Sequence, residues 1–332
     1  MIFITGNSGF IGSYLTSFLV KNGYSLRGFD VAPKRIASAD YPHVIGDLLD
    51  EKVVKRAMTG CESVIHLAAE HKDSGISREC YFHVNEDGTK CLLRCASELG
   101  IKKFIFFSSV AVYGDQQGAT EETTPRPVTP YGESKLAAEQ AVVKWAGEDP
   151  QRMCIVIRPA VVFGPNNRAN IFKLIKYVCD GKFIWVGNGE NVKSIAYVEN
   201  LVRATHFLIE RMCPGVQILN YVDEPQMTTR ELVDLIASKA GKPVPTLSIP
   251  EGIALFLARI GDGIASLTNR NFPVSAARIK KFNTSTRYSA DKIRFTGFKA
   301  PYTIEEGLAK SVRWYLDEVQ TRKNDYTESW ER

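Results

Sequence analysis

Tyr131 and Lys135 stand four positions apart in Pro130-Tyr131-Gly132-Glu133-Ser134-Lys135, just ahead of the helix-favouring run Leu136-Ala137-Ala138-Glu139-Gln140. On a helix that spacing puts both side chains on one face, a turn apart. A lysine ammonium there stabilises a phenolate and draws the tyrosine pKa from about 10 towards neutrality, which makes the phenol a general base. Such a pair also arises by chance on many helices. A second segment, Phe107-Ser108-Ser109-Val110-Ala111-Val112-Tyr113-Gly114, comes off a β-like run and offers the Ser109 hydroxyl to a substrate oxygen. Ser108 reads more simply as a strand-end serine that satisfies its own backbone. Ser109, Tyr131 and Lys135 together have the make-up of an oxidoreductase centre.

The elements that must hold these residues follow from the apolar pattern. Short β-branched and aromatic runs at Ile2-Thr5, Ser25-Asp30, His43-Gly46, Ser63-Ala68, Lys103-Ser108 and Cys154-Ile157 alternate with helical stretches. This predicts βαβ units and an α/β fold with a doubly wound parallel sheet of Rossmann type. Such sheets bind ligands at the carboxyl ends of their strands. The first strand runs directly into Thr5-Gly6-Asn7-Ser8-Gly9-Phe10-Ile11-Gly12 and then a helix with Tyr14, Leu15, Phe18 and Leu19 at helical spacing, stopped by Gly23. Glycines at 6, 9 and 12 allow a tight turn and let the backbone approach a pyrophosphate at a helix N-terminus, so a dinucleotide is expected here.

Asp30 ends the second strand, where a carboxylate accepts from the adenosine ribose and repels a 2′-phosphate, favouring NAD over NADP. Lys34 and Arg35 follow closely and leave a phosphate-binding alternative open. Asp47 and Leu48, after the third strand, border the expected adenine position; a helix cap at Asp47 is the plainer alternative. His71 follows the fourth strand and is read either as a catalytic group or as a neutral hydrogen-bonding residue near the sugar or cofactor. The five histidines are scattered and no metal site is expected.

Length and composition set outer bounds. With 332 residues, one large domain and a smaller one are expected, divided near residue 160: 1–160 for the dinucleotide, with some later segments returning to it, and 161–332 for the substrate. A net charge of +5 comes from 42 basic and 37 acidic residues spread along the chain; without a basic block interleaved with aromatics, nucleic acid is not an expected partner. Seven cysteines, an odd number without CxxC spacing, predict buried free thiols in a reducing compartment. The sequence enters a strand at once, without the basic lead of a signal peptide, so a cytoplasmic protein is expected.

Several motifs in order carry a family resemblance: Thr5-Gly6-x-x-Gly9-Phe10-Ile11-Gly12, His66-Leu67-Ala68-Ala69, Val84-Asn85-x-x-Gly88-Thr89, Ser108-Ser109-x-x-Val112-Tyr113-Gly114, Tyr131-x-x-x-Lys135 and Arg158-Pro159-x-x-Val162-Phe163-Gly164-Pro165. With these the chain resembles the extended short-chain dehydrogenase/reductase family of NAD-dependent epimerases and dehydratases. The resemblance implies tightly held NAD, Tyr131 as base, Lys135 on the nicotinamide ribose, Ser109 beside the substrate hydroxyl and Asn85 near the cofactor. It further implies a cofactor lining of Ser8, Phe10, Ile11, Leu67, Ala68, Ala69, Ser108, Pro159 and Val161. Sugar-nucleotide 4,6-dehydratases of the family carry an Asp-Glu pair after the catalytic Thr or Ser. Val110 and Ala111 occupy those positions here, which speaks against water elimination.

A finer resemblance, through Leu67–Asp73, Phe163–Asn170, Gly181-Lys182-Phe183, Val186–Gly189, Asn220–Asp223, Val274-Ser275 with Arg278, Lys280, Lys281 and Phe282, and Ala300–Thr303, is to bacterial epimerases that interconvert N-acetylglucosamine and N-acetylgalactosamine on undecaprenyl diphosphate. Where nucleotide-sugar members place an Arg after the GxG turn, this chain offers Lys193, which lacks the bidentate fork. His71, Arg168, Asn170 and Lys193 are the candidate polar lining of the sugar pocket. The stretch Ile253–Leu267, within a broader segment 247–282, is too short and polar to span a bilayer but has apolar positions at helical intervals; it suits either a core-packing helix or a membrane interface. Arg270, Arg278, Lys280, Lys281, Arg287, Lys292 and Arg294 supply positive charge for an anionic leaflet or a lipid diphosphate. The expected function is NAD-dependent 4-epimerisation of a diphosphate-linked N-acetylhexosamine in surface polysaccharide (O-antigen) synthesis, at or near the cytoplasmic face of the inner membrane. A UDP-sugar 4-epimerase and a dehydrogenase, reductase or dehydratase of the same family stay open, as does a homodimer.

Overall fold

The computed structural model describes residues 1–34, 40–72, 75–256, 259 and 282–320. Arg35, Asp73, most of the 253–267 stretch and the basic residues Arg270, Arg278, Lys280 and Lys281 lie outside the described residues.

The strands form where β-branched and aromatic side chains are dense, and both faces of most of them are covered. They are β1 (Ile2–Thr5), β2 (Leu26–Asp30), β3 (His43–Ile45), β4 (Ser63–His66), β5 (Lys103–Phe107), β6 (Met153–Pro159) and a seventh strand, Gly215–Tyr221. All pair in parallel, in the order seventh strand, β6, β5, β4, β1, β2, β3. Chain order reverses between β1 and β4, the crevice where a doubly wound sheet takes its ligand.

The helices that cross between strands bury apolar faces on the sheet. They are α1 (Phe10–Lys21), α2 (Glu51–Met58), α3 (Arg78–Phe82), α4 (Gly88–Glu98) and α5 (Pro130–Gly147). One core layer packs Val54 and Met58, Leu92 and Cys95, and Ala138, Val142 and Trp145 against Phe3, Phe29, Phe104 and Phe106 of the strands. α1 ends where Gly23 takes a φ of 80° and its N–H returns to the Val20 carbonyl. Asp50 caps α2 by accepting from the Val53 N–H, so the cap is three residues beyond Asp47, whose carboxylate accepts from the Leu49 N–H. The cysteines are all free thiols: five are buried, Cys80 is half-buried and Cys213 is exposed.

The chain divides into two compact units. The first contains residues 1–162, 198–222 and 288–301, and so takes in the whole seven-stranded sheet. The second contains residues 163–197, 223–287 and 302–332, with described helices Asn170–Cys179, Thr229–Ala240 and Ile304–Trp314 packed on one another. Thr228 and Thr303 each open a helix there with a capping box, to Glu231 and Glu306 respectively.

Candidate active site

The glycine turn is shaped by close approach. A Cβ at Gly12 would stand 2.1 Å from the Gly6 carbonyl oxygen, so only glycine lets the first turn of α1 close on the strand end. The Gly9 N–H donates to that same carbonyl at 3.0 Å. Asp30 lies alongside, its two carboxylate oxygens accepting from the Ser8 and Ala32 N–H groups, each at 3.0 Å. A carboxylate has about four acceptor sites; ribose hydroxyls therefore still find acceptors there. Lys34, the first of the two cations near Asp30, stands 4.2 Å over the Tyr41 ring. The Asn7 side-chain oxygen and the Ser108 hydroxyl are buried without a protein partner. An open backbone cradle, a half-buried carboxylate and orphaned polar atoms at the strand ends fit a dinucleotide. Leu48, at 6% exposure, packs beneath this region, while Asp47 is exposed. Leu67, Ala68 and Ala69 are half-buried just after β4, Pro159 is buried at the end of β6, and Val161 is exposed.

The backbone contact expected of Ser108 falls to Ser109. Ser109, not Ser108, satisfies the local backbone: its Oγ accepts from the Ala111 N–H at 3.1 Å and opens the short 3-10 turn Val110–Tyr113. Because Ser109 uses a lone pair in that contact, its proton stays available to a substrate oxygen. Ser108 is held instead through its main chain, whose N–H donates to the Ile157 carbonyl at 2.7 Å, so its hydroxyl has no need of the backbone.

Pro130 in the first turn and Thr129, whose Oγ1 accepts from the Gly132 N–H, start α5 immediately before Tyr131. A Cβ at Gly132 would lie 2.5 Å from the Ala111 carbonyl oxygen; this contact seats the helix start on the 3-10 turn that carries Ser109. The Tyr131 ring is half-buried and meets Tyr81 edge-on, with centroids 6.3 Å apart. Lys135 is 2% exposed, with its ammonium 4.2 Å over the Phe106 ring. Burial draws its pKa down to about 7, partly offset by the charge of Glu139.

Polar residues beyond Ser109, Tyr131 and Lys135 organise this cluster, among them Asn85 and His71, which the sequence places near the cofactor or sugar. His66 bridges Thr5 (2.7 Å) and Thr89 (3.0 Å), and burial, reinforced by the Lys135 charge, holds its pKa well below the usual imidazole range. Asn85, on a π-helical turn at His83–Asp87, donates to the Ser134 hydroxyl and the Glu70 carbonyl and accepts from the Glu70 N–H. His71 is exposed and its N–H donates to the Glu70 carboxylate. Farther along α5, Glu139 meets Arg158 of β6 in a buried bidentate pair. Glu139 is one turn beyond Lys135, a spacing visible in the sequence, but its partner on β6 requires the sheet.

Arg168 and Asn170 are exposed in the second unit, and Lys193, in the same unit, donates to the Thr284 carbonyl at 2.7 Å. Among the described residues no cluster of three or more His, Cys, Asp or Glu side chains is arranged to hold a metal ion.

A glycine turn at the sheet crevice, an aspartate at the second strand end and a tyrosine and lysine one turn apart define a dinucleotide-dependent α/β enzyme. The NAD dependent epimerase/dehydratase family model matches residues 2–220. The chain belongs to that family, and its cofactor is NAD. It is 34% identical over 330 residues to the N-acetyl-alpha-D-glucosaminyl-diphospho-ditrans,octacis-undecaprenol 4-epimerase of Escherichia coli O157:H7, covering 98% of each chain. Among solved structures, MoeE5 in complex with UDP-glucose and NAD superposes with a TM-score of 0.75 at 25% identity, over 98% of this chain and 99% of that one. The UDP-glucose 4-epimerase of Thermotoga maritima shares the fold at a TM-score of 0.77 and 23% identity, over 96% and 99% of the two chains.

Proposed function

We propose that this chain is an NAD-dependent 4-epimerase of an N-acetylhexosamine carried on undecaprenyl diphosphate, acting in surface polysaccharide synthesis. The observation that carries this reading is the end-to-end likeness to the Escherichia coli lipid-linked sugar epimerase, at 34% identity. The site chemistry supports it. Tyr131, as phenolate, removes the proton of the sugar 4-hydroxyl, and the Ser109 hydroxyl donates to the same oxygen and steadies it. Bound NAD supplies the acceptor for the C4 hydride and its return to the opposite face of the ring. Tyr131 then gives its proton back to the oxygen of the transient 4-keto sugar. Lys135 holds positive charge beneath the tyrosine through both halves, so the site ends each turnover as it began.

The residues after Ser109 support epimerisation over water elimination. Val110 is buried and apolar and Ala111 carries no acid, so neither offers the second acid and base that elimination requires. For the carrier, the second unit exposes Leu247 (61%), Ile253 (53%) and Phe256 (64%), apolar surface suited to peripheral contact with a bilayer. Among the described residues no helix is long and apolar enough to cross a membrane. The test is to supply the purified protein with UDP-N-acetylglucosamine and, separately, with undecaprenyl-diphosphate-linked N-acetylglucosamine. Turnover of the lipid-linked sugar is expected; efficient turnover of the UDP-sugar alone would overturn the assignment of the carrier.

A further inference from the structure

Lys135 is buried between α5 and the sheet. Its ammonium lies over the Phe106 ring of β5 and its charge acts on neutral His66 of β4; Tyr131 and Glu139 stand one turn to either side of it on its own helix, and Glu139 is paired with Arg158 of β6, which also reaches Tyr113 of the 3-10 turn. Charged groups on the other helices packed against α5 are directed elsewhere: Lys90 engages Glu86, Arg78 engages Glu133, His83 engages Asp87, and Arg94 engages Glu51. Among the described residues Glu139 is the carboxylate whose charge acts on this buried ammonium, one helical turn away.

That carboxylate is not free to swing onto Lys135. Arg158 Nε donates to Glu139 Oε2 at 3.0 Å and its Nη2 to Oε1, with both side chains at most 4% exposed. Arg158 Nη1 donates to the Tyr113 hydroxyl at 2.6 Å, which donates to Asn220 Oδ1 at 2.9 Å. Asn220 is fixed in turn by its Nδ2 donating to the Ser289 carbonyl at 2.9 Å. A fork clamped on both oxygens keeps the carboxylate ionised and in place. Its field reaches Lys135 while each of its oxygens is held by Arg158.

We propose that Glu139, clamped by Arg158, is a positioning residue that supplies the compensating negative charge for Lys135 and so governs the positive charge available to Tyr131. This rests on the reading of Tyr131 and Lys135 as the reacting centre, and the measurement below does not depend on the substrate. If the clamp were only structural, disturbing either partner would damage the site in the same sense. If it acts through charge, the two partners act on Lys135 with opposite sign.

The experiment follows the 13Cε resonance of Lys135 in the full-length, NAD-saturated, lysine-labelled protein as pH is raised, the signal being identified by its loss in Lys135→Arg. Glu139→Gln is expected to lower the Lys135 titration midpoint by about one pH unit and Arg158→Gln, the more distant charge, to raise it by about half as much. Glu139→Asp, which keeps the charge and alters the shape, is expected to stay near the native midpoint. Should either single neutral variant fail to fold, the pair E139Q/R158Q removes both charges of the clamp together. Its midpoint is expected below the native one, because the nearer of the two charges is the carboxylate. Shifts of the same sign in the two single variants, or a midpoint in the pair within about 0.2 pH unit of native, would overturn the proposal. Failure of the epimerase reading shows separately, as absence of turnover in the native protein with these titrations unchanged.

Discussion

The Asn85 side chain donates to the Ser134 hydroxyl across 2.9 Å and thereby ties a π-helical turn to the helix that presents Tyr131 and Lys135. Ser134 passes the contact on, donating to the Tyr131 carbonyl at 2.9 Å. The same Asn85 amide clasps both main-chain groups of Glu70, at 2.8 and 3.0 Å, in the loop after β4. One buried side chain thus couples the loop beyond β4 with the start of the tyrosine helix.

Replacing Asn85 by Ala leaves the Glu70 N–H and carbonyl without partners and removes the link to Ser134. Each unsatisfied buried group costs about 1–3 kcal/mol, so Asn85→Ala is expected to lower the unfolding free energy by about 2–4 kcal/mol. Urea unfolding measures this. A loss below about 0.5 kcal/mol would mean that water takes over both Glu70 groups and that the clasp holds nothing in place.

Tyr131→Phe keeps the ring against Tyr81, 6.3 Å away, and removes only the hydroxyl. General-base catalysis contributes roughly 10²–10⁴-fold, and a loss of kcat in that range is expected with NAD affinity nearly unchanged. The measurement is epimerisation of the lipid-linked sugar, with cofactor binding followed by the quenching of protein fluorescence. Unchanged turnover would place the proton transfer on another group.

Lys135→Met is expected to abolish turnover and to stabilise the protein. In the folded chain the lysine pKa lies at about 7, against an ordinary value of 10.5. Below about pH 7 both folded and unfolded chains carry the proton, and the cost of burying the ammonium is felt in full. Between about 7 and 10.5 the unfolded chain holds a proton the folded chain has released, so this cost diminishes as pH rises. Methionine removes the cost, which is on the order of a few kcal/mol at neutral pH. Thermal melts of the NAD-free proteins should therefore show the variant melting higher at pH 6–7 and the gap closing towards pH 10. A variant that melts lower at every pH would show that the ammonium over Phe106 is a net stabilising contact.

Much of this was legible in the chain before folding. The β runs recur at βαβ intervals, and six of the expected strands form within two residues of their predicted ends. The glycine turn, Asp30 and the four-residue spacing of Tyr131 and Lys135 are local patterns, and local patterns survive into structure because neighbours in sequence must stay neighbours in space. Ser108 and Ser109 are different. Which of two adjacent serines caps the backbone depends on where the chain turns after β5, and that turn is set by the Ser108 N–H bond to Ile157 of β6, some fifty residues on. The Glu139–Arg158 pair and the His66 bridge between Thr5 and Thr89 are likewise products of strand order. Nothing in a linear spacing places β6 beside β5 and aims Arg158 at α5.

Gly12→Ala tests the turn on which the cofactor reading depends. The added methyl would lie 2.1 Å from the Gly6 carbonyl oxygen and 2.8 Å from the Asn7 Cα, both backbone, so no side chain can yield and α1 must lift away from β1. The N-terminal amides of that helix then no longer converge on the position a pyrophosphate would take. NAD affinity is expected to fall at least about tenfold, roughly 1.4 kcal/mol. Gly23→Ala is the control: its φ of 80° strains any L side chain, but nothing lies within 4 Å of the new methyl. That variant is expected to lose about 1–2 kcal/mol of stability and to bind NAD as the native chain does. Calorimetric titration of both with NAD separates backbone strain from loss of the cradle, because only a cradle defect weakens binding in a protein that is still folded. If Gly12→Ala folds and binds NAD with native affinity, the close approach at Gly12 serves helix packing alone, and the pyrophosphate is held by other groups.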